Sequence, residues 1–181
     1  MKKPTLFRIW KERLSYCLYR KELYQKFAEK MPLGKEANIL DFGCKTGEMS
    51  LTVLKTDFRV NLTCFEKDHR WLKACRRTLH KYPNVVFTET LSEIEARKPF
   101  DLIYCHMAIS GLSQEEVETI SAFLCDSLNK GGIIVFRESM KEIEKVIKAK
   151  LIFYQKKMRL TQSSISDLPV LGTVIECVYQ K

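Results

Sequence analysis

The stretch Ala37-Asn38-Ile39-Leu40-Asp41-Phe42-Gly43-Cys44-Lys45-Thr46-Gly47-Glu48 decides how this 181-residue chain is read. Its first half is a short apolar run closed by an acidic residue, the pattern of a buried strand. Two glycines follow, and an amphipathic segment, Met49 to Leu54, begins directly after them. In open α/β sheets such a strand-to-helix turn is where ligands bind, and glycine lets the backbone come closer to a ligand than any side chain permits. The spacing is Gly43-x-x-x-Gly47. A dinucleotide fold needs G-x-G-x-x-G and a phosphate-binding loop needs Gly-Lys-Ser/Thr, so neither reading fits.

Outward from this turn, apolar runs at Ile39-Leu40, Val60 to Phe65, Val85 to Phe87, Leu102 to Cys105 and Ile133 to Phe136 predict five buried strands. Helical spacing falls between them, at 49–54, at Trp71, Leu72, Cys75 and Leu79, and at Val117, Ile120, Leu124 and Leu128. The third of these helices opens on Ser113-Gln114-Glu115-Glu116, a capping box, and is expected to stop at Asn129-Lys130-Gly131-Gly132 with a left-handed cap. Strand and helix alternate, which predicts right-handed βαβ units and a parallel sheet covered on both faces.

The flanks read differently. Phe7, Trp10, Leu14, Cys17, Leu18, Tyr24, Phe27, Ala28 and Met31 recur at three- and four-residue spacing, predicting a helix with one inward apolar stripe, ended by Pro32 and Gly34. Beyond a further helical stretch near 139–149, Ile152 to Leu160 and Thr173 to Tyr179 are expected as an antiparallel edge pair around Ser163 to Pro169. The expected organisation is a single domain, with residues 1–35 as a basic helical cap on an α/β body spanning 36–181.

Hydrophobic residues make up 45% of the chain and charged residues 29%, near globular averages. No apolar run approaches the roughly 20 residues that span a bilayer, and Lys11, Glu12 and Arg13 interrupt the N-terminus before the apolar core of a secretion signal can form. Seven cysteines contain no Cys-x-x-Cys pair, so a disulfide framework and a metal site are not expected, and a reducing cytoplasm is. The net charge of +9 is concentrated in two places. Residues 1–35 hold ten basic and three acidic side chains and residues 141–159 hold seven and two, while 36–140 is slightly acidic. Basic segments that flank one cleft would concentrate an anionic acceptor, RNA included; on a solvated helix face the same charges need have no partner.

The Asp41 to Gly47 turn resembles the first motif of the class I S-adenosylmethionine-dependent methyltransferases, and the resemblance runs on from about residue 36. Glu66 closes the second strand where that family places an acidic residue, Pro99-Phe100-Asp101-Leu102-Ile103-Tyr104 resembles its fourth strand, and Leu128-Asn129-Lys130-Gly131-Gly132-Ile133-Ile134-Val135 its fifth with the preceding turn. The resemblance implies a Rossmann-like, mostly parallel seven-stranded sheet, helices on both faces and an antiparallel C-terminal strand pair. It implies S-adenosyl-L-methionine as cofactor, held by Asp41, Gly43, Cys44, Lys45, Gly47, Glu66, Lys67 and Glu89, with Glu66 accepting the ribose hydroxyls and Glu89 the adenine amino group. His106, after the fourth strand, stands where the family often has a polar residue near the transferred methyl, as a base or as a packed imidazole. Lys45 departs from the pattern by replacing the middle glycine. Either it pairs with the methionine carboxylate of the cofactor, or it damages the pocket and leaves a non-catalytic RNA-binding or partner module. The segment from Ile103 to Leu112 lacks the Asn/Asp-Pro-Pro-aromatic run of exocyclic-amine nucleic-acid enzymes and resembles small-molecule and protein N-terminal amine methyltransferases more closely.

Overall fold

The computed structural model describes residues 5–17, 21–32, 34, 36–168 and 171–181. Seven strands, β1 (Asn38–Phe42), β2 (Asn61–Phe65), β3 (Val85–Thr88), β4 (Phe100–His106), β5 (Leu128–Ser139), β6 (Arg159–Leu168) and β7 (Gly172–Gln180), form one sheet in the order β3-β2-β1-β4-β5-β7-β6. The first five are parallel, and β7 runs antiparallel to both β5 and β6. The chain leaves β1 toward β2 on one side and returns as β4 on the other, so the order reverses between β1 and β4. At such a switch point the flanking loops part and leave a crevice beyond the strand ends.

Side chains alternate across each strand, and the alternation assigns the site residues to one face. Leu40 and Phe42 of β1, Ile103 and Cys105 of β4 and Phe136 of β5 face α6 (Gln114–Asp126) and α7 (Ile143–Gln155). Ile39, Leu102 and Tyr104 face α2 (Lys21–Ala28), α3 (Glu48–Thr56) and α4 (His69–Leu79). Asp41 and His106 share the parity of this second face, which turns them toward α3 and α2. Tyr24, Phe27, Ala28 and Met31 are buried there and hold α2 on the sheet, each large side chain contributing about 1.5 to 3 kcal/mol.

Four expectations are corrected. The N-terminal stripe splits into two helices, α1 (Leu6–Ser15) and α2, and only the second points inward: Phe7 is 69% exposed, Trp10 58% and Leu14 39%, while Leu18 lies outside the described residues. The cause is that α1 lies over α4, where Arg13 donates to the Ala74 carbonyl and Thr78 hydroxyl at 2.8 Å, so its Phe7 and Trp10 side meets solvent. The segment 152–155 is helical, because Val146, Ala149, Ile152 and Phe153 continue the stripe of α7 onto the sheet, and burial of that stripe overrides the β preference of Ile152 and Phe153. Ser163 and Ser164 therefore belong to β6, a polar edge strand of the kind that resists pairing with other chains. Finally, α6 stops at Asp126 and Gly131, at φ +81°, sits in the offset between the pairs Phe100 with Leu128 and Leu102 with Ile133. The capping box of Ser113 and Glu116 forms as expected. A short helix, α5 (Leu91–Glu95), precedes β4.

Candidate functional site

The crevice beyond β1 and β4 contains a cavity of about 180 Å³ lined by Asp41, Gly43, Cys44, Lys45, His106 and Met107 among others. Five sequence-predicted residues thus meet in one place. Gly47, Glu66, Lys67 and Glu89 lie outside its lining. The two glycines adopt φ of +84° and +81°, a region that L side chains rarely visit. Both are also packed against protein: a Cβ on Gly43 would meet the Ala108 Cβ at 2.7 Å, and one on Gly47 the Cys75 Sγ at 2.8 Å. In this chain they serve the turn and its close contacts.

Asp41 is 1% exposed and accepts from the Ser50 hydroxyl of α3, which also receives the Tyr104 hydroxyl at 3.3 Å. Burial, with help from neighbouring Cys64, pushes its carboxyl well above the usual range. Glu66 follows β2 and is also buried. One carboxylate oxygen accepts from the Lys45 amide at 3.2 Å and the other from the Asp68 amide at 3.2 Å, leaving each oxygen a lone pair for a further donor. Burial raises its pKa although both amides favour the charged form.

Lys45, with φ of 47°, crosses the cavity and donates its ammonium to the Met107 carbonyl at 3.1 Å. The cavity volume falls below the roughly 300 Å³ at the lower end of ligand pockets. Swinging this one flexible side chain aside enlarges it. His106 ends β4 with its ring edge-on to Tyr24 at 4.6 Å and tilted to Phe27 at 5.8 Å, so α2 shields it from water. Lys67 pairs with Glu116 at 2.9 Å, and Glu89 with His69 at 2.6 Å, both in exposed positions.

Sequence reasoning missed three features. Glu138, fully buried at the end of β5, accepts from the Ile109 amide at 2.6 Å and the Ser110 amide at 3.3 Å, fixing the segment after β4; burial pushes its pKa up to about 7. Cys44, Cys64 and Cys75, distant in sequence, place their sulfurs within 4.8 Å of one another beneath the loop. Three sulfurs converge where the sequence spacing predicted no cluster, one short of a tetrahedral zinc site. Arg137, 2% exposed, pairs with Glu176 at 2.6 Å, reaches the Leu23 carbonyl and covers the Phe27 ring at 4.3 Å, tying α2 to the sheet. In the basic segment 141–159, three cations have definite partners. Lys145 and Lys148 donate to the Ser110 and Gln114 carbonyls, and Lys156 pairs with Asp126, so these cations are directed at α6 and its approach.

Residues 23–159 match the methyltransferase small domain family, and the chain belongs to that family. The fold is that of the class I S-adenosylmethionine-dependent methyltransferases. Similar solved structures include the precorrin-6y C5,15-methyltransferase of Geobacter metallireducens GS-15 (TM-score 0.74, 15% identity, 88% of each chain covered). The N-methyltransferase NodS of Bradyrhizobium japonicum WM9, in complex with S-adenosyl-l-homocysteine, is another (TM-score 0.72, 13% identity, 91% of this chain and 88% of that one). A third is the cyclopropane synthase MmaA2 of Mycobacterium tuberculosis (TM-score 0.73, 10% identity, 90% and 84%). No curated protein matches by sequence. Among the described residues no helix is long and apolar enough to cross a membrane.

Proposed function

We propose that the chain binds S-adenosyl-L-methionine in the β1–β4 crevice and catalyses transfer of its methyl group to an acceptor. The observation that carries this reading is the buried Glu66 carboxylate, held by the Lys45 and Asp68 amides with acceptor capacity left on each oxygen, beside the Gly43 to Gly47 turn. A ribose diol is a pair of donors that fits such a carboxylate. The cofactor supplies a sulfonium methyl, displaced in line, so the protein's contribution is mostly alignment and exclusion of water.

In this reading Glu66 accepts the ribose hydroxyls, Glu89 exchanges His69 for the adenine amino group, and Lys67 with Glu116 borders the nucleoside. Gly43, Cys44 and Gly47 shape the backbone, and Asp41 fixes the turn to α3 through Ser50. The Lys45 ammonium leaves the Met107 carbonyl for the methionine carboxylate, a charge-assisted pairing. His106, packed under Tyr24 and Phe27, takes a proton from the acceptor. The acceptor is a small molecule, a peptide amine or RNA, met in the cytoplasm, with residues 1–35 capping a catalytic body of 36–181. A second reading, a non-catalytic module, is favoured by one observation alone, the Lys45 side chain across the cavity.

Methyl-labelled S-adenosylmethionine incubated with the protein and separate pools of RNA, peptides and small metabolites tests this. Label is expected in one pool and is lost with Glu66→Ala. No label in any pool, from a folded chain that also fails to bind S-adenosylhomocysteine, selects the second reading.

A further inference from the structure

Beneath the Gly43 to Gly47 turn, Cys44 of the turn, Cys64 of β2 and Cys75 of α4 bring their sulfurs within 4.8 Å of one another. All three are buried and none is in a disulfide. A buried thiol often serves as a small apolar filler. Cys105, Cys125 and Cys177 fit that description, since they are equally buried and belong to no such group. Three sulfurs supplied to one point by three separate elements are a different arrangement.

Sulfurs no more than 4.8 Å apart all lie within about 2.8 Å of a common point, and a metal–thiolate bond is about 2.3 Å for zinc, so each sulfur has to close by only about 0.5 Å. The Ser50 hydroxyl oxygen stands 3.3 Å from the Cys64 Sγ and is itself held by Asp41 and Tyr104, an outer contact of the kind that orients a ligand. Cys75 packs against the turn at Gly47, where a Cβ would come within 2.8 Å of its Sγ. Cys44 lines the cavity beyond β1 and β4, which gives an ion a way in.

The ligand set selects the ion. Among the described residues, no histidine, carboxylate or fourth cysteine joins the three. Zinc takes four ligands in a tetrahedron, and the fourth would be a water drawn into an apolar cluster shared with Met49, Val53 and Leu72. Sulfur is a soft ligand that favours cuprous copper, an ion satisfied by three sulfurs in a plane.

We propose that Cys44, Cys64 and Cys75 form a three-sulfur site for cuprous copper directly beneath the Gly43 to Gly47 turn. Coordination displaces the thiol protons to solvent. The site goes beyond the cofactor reading, and its test contains no cofactor, so either can fail without the other.

The test is anaerobic titration of the reduced full chain with cuprous ion buffered by bicinchoninate, in a Cys17→Ser background so that the exposed thiol contributes nothing. One equivalent of copper should be held against the competitor, its X-ray absorption should show a shell of three sulfurs, and the melting temperature should rise, as for any ligand that binds only the folded state. Loss of an outer contact alone weakens metal binding roughly 10- to 100-fold, so Cys64→Ser, which removes a ligand, should weaken it at least about 100-fold. Cys125→Ser should leave it unchanged. Where Cys64→Ser gives no cooperative melt, Cys44→Ser at the cavity wall and the absorption spectrum decide. The proposal is overturned by loss of copper to the competitor, by a shell of two sulfurs or one containing nitrogen or oxygen, by equal losses in Cys64→Ser and Cys125→Ser, or by zinc displacing the copper.

Discussion

The Lys45 ammonium donates to the Met107 carbonyl at 3.1 Å, joining the loop after β1 to the end of β4 across the cavity. Both residues have positive φ, 47° at Lys45 and 53° at Met107, a conformation that costs a non-glycine residue about 1 to 2 kcal/mol. Strain of this kind persists where surrounding structure enforces it, and it gathers at functional sites. Lys45→Gly suits the backbone and empties the cavity. If the ammonium pairs with the cofactor carboxylate, the variant loses about 1.5 kcal/mol of S-adenosylhomocysteine affinity, roughly tenfold, by calorimetry. Tighter binding would assign Lys45 to obstruction and favour the non-catalytic reading.

Glu66 is the carboxylate on which the nucleoside half of the site depends. Glu66→Gln keeps an acceptor for one of the two amides and removes the charge, so the fold should survive while cofactor affinity drops by about 1.5 to 3 kcal/mol. Glu66→Ala orphans both amides and should also lower the melting temperature. Equal cofactor affinity in the Gln variant would remove Glu66 from the site.

Stability should depend on pH through Glu138. Burial lifts its folded pKa to about 7, above an unfolded value near 4.3, so the folded state holds the proton more tightly. Its contribution is fully present below about pH 4.3 and is lost as pH rises through 7, by an amount on the order of 3 kcal/mol. Urea unfolding at pH 5 and pH 7.5 should show the wild type losing stability toward the higher pH, with a smaller loss in Glu138→Gln. Identical pH dependence in the two proteins would rule out this assignment.

Gly43→Ala combines a φ of +84° with a Cβ that would meet the Ala108 Cβ at 2.7 Å, and a cost of about 2 kcal/mol or more is expected. Gly34→Ala is the control, since nothing lies within 4 Å of its Cβ position and its φ is not positive. Thermal melts of the two variants should differ clearly. Equal melts would mean that the Gly43 turn relaxes freely.

Much of this was legible in the sequence because it is local. The turn from Asp41 to Gly47 is contiguous, and strand periodicity places Tyr104 and His106 on one face of β4, whereas Asp41 joins that face only through the pairing of β1 with β4. The rest depends on contacts between distant segments. Glu138 looks like any strand-end acid until Ile109 and Ser110 are brought to it, and Cys44, Cys64 and Cys75 converge only when β1, β2 and α4 are packed. The stripe of Phe7, Trp10 and Leu14 has helical period, yet period says nothing of which way a helix faces when its neighbour is held by Arg13. At Ile152 and Phe153 the local β preference gave way to burial against β5.

Isothermal titration of the full chain with S-adenosylhomocysteine and S-adenosylmethionine decides whether the crevice beyond β1 and β4 is a cofactor site. Saturable binding of both at one site per chain is expected, weakened at least about tenfold by Glu66→Gln. A folded chain, shown by a cooperative melt, that binds neither at millimolar ligand would contradict it.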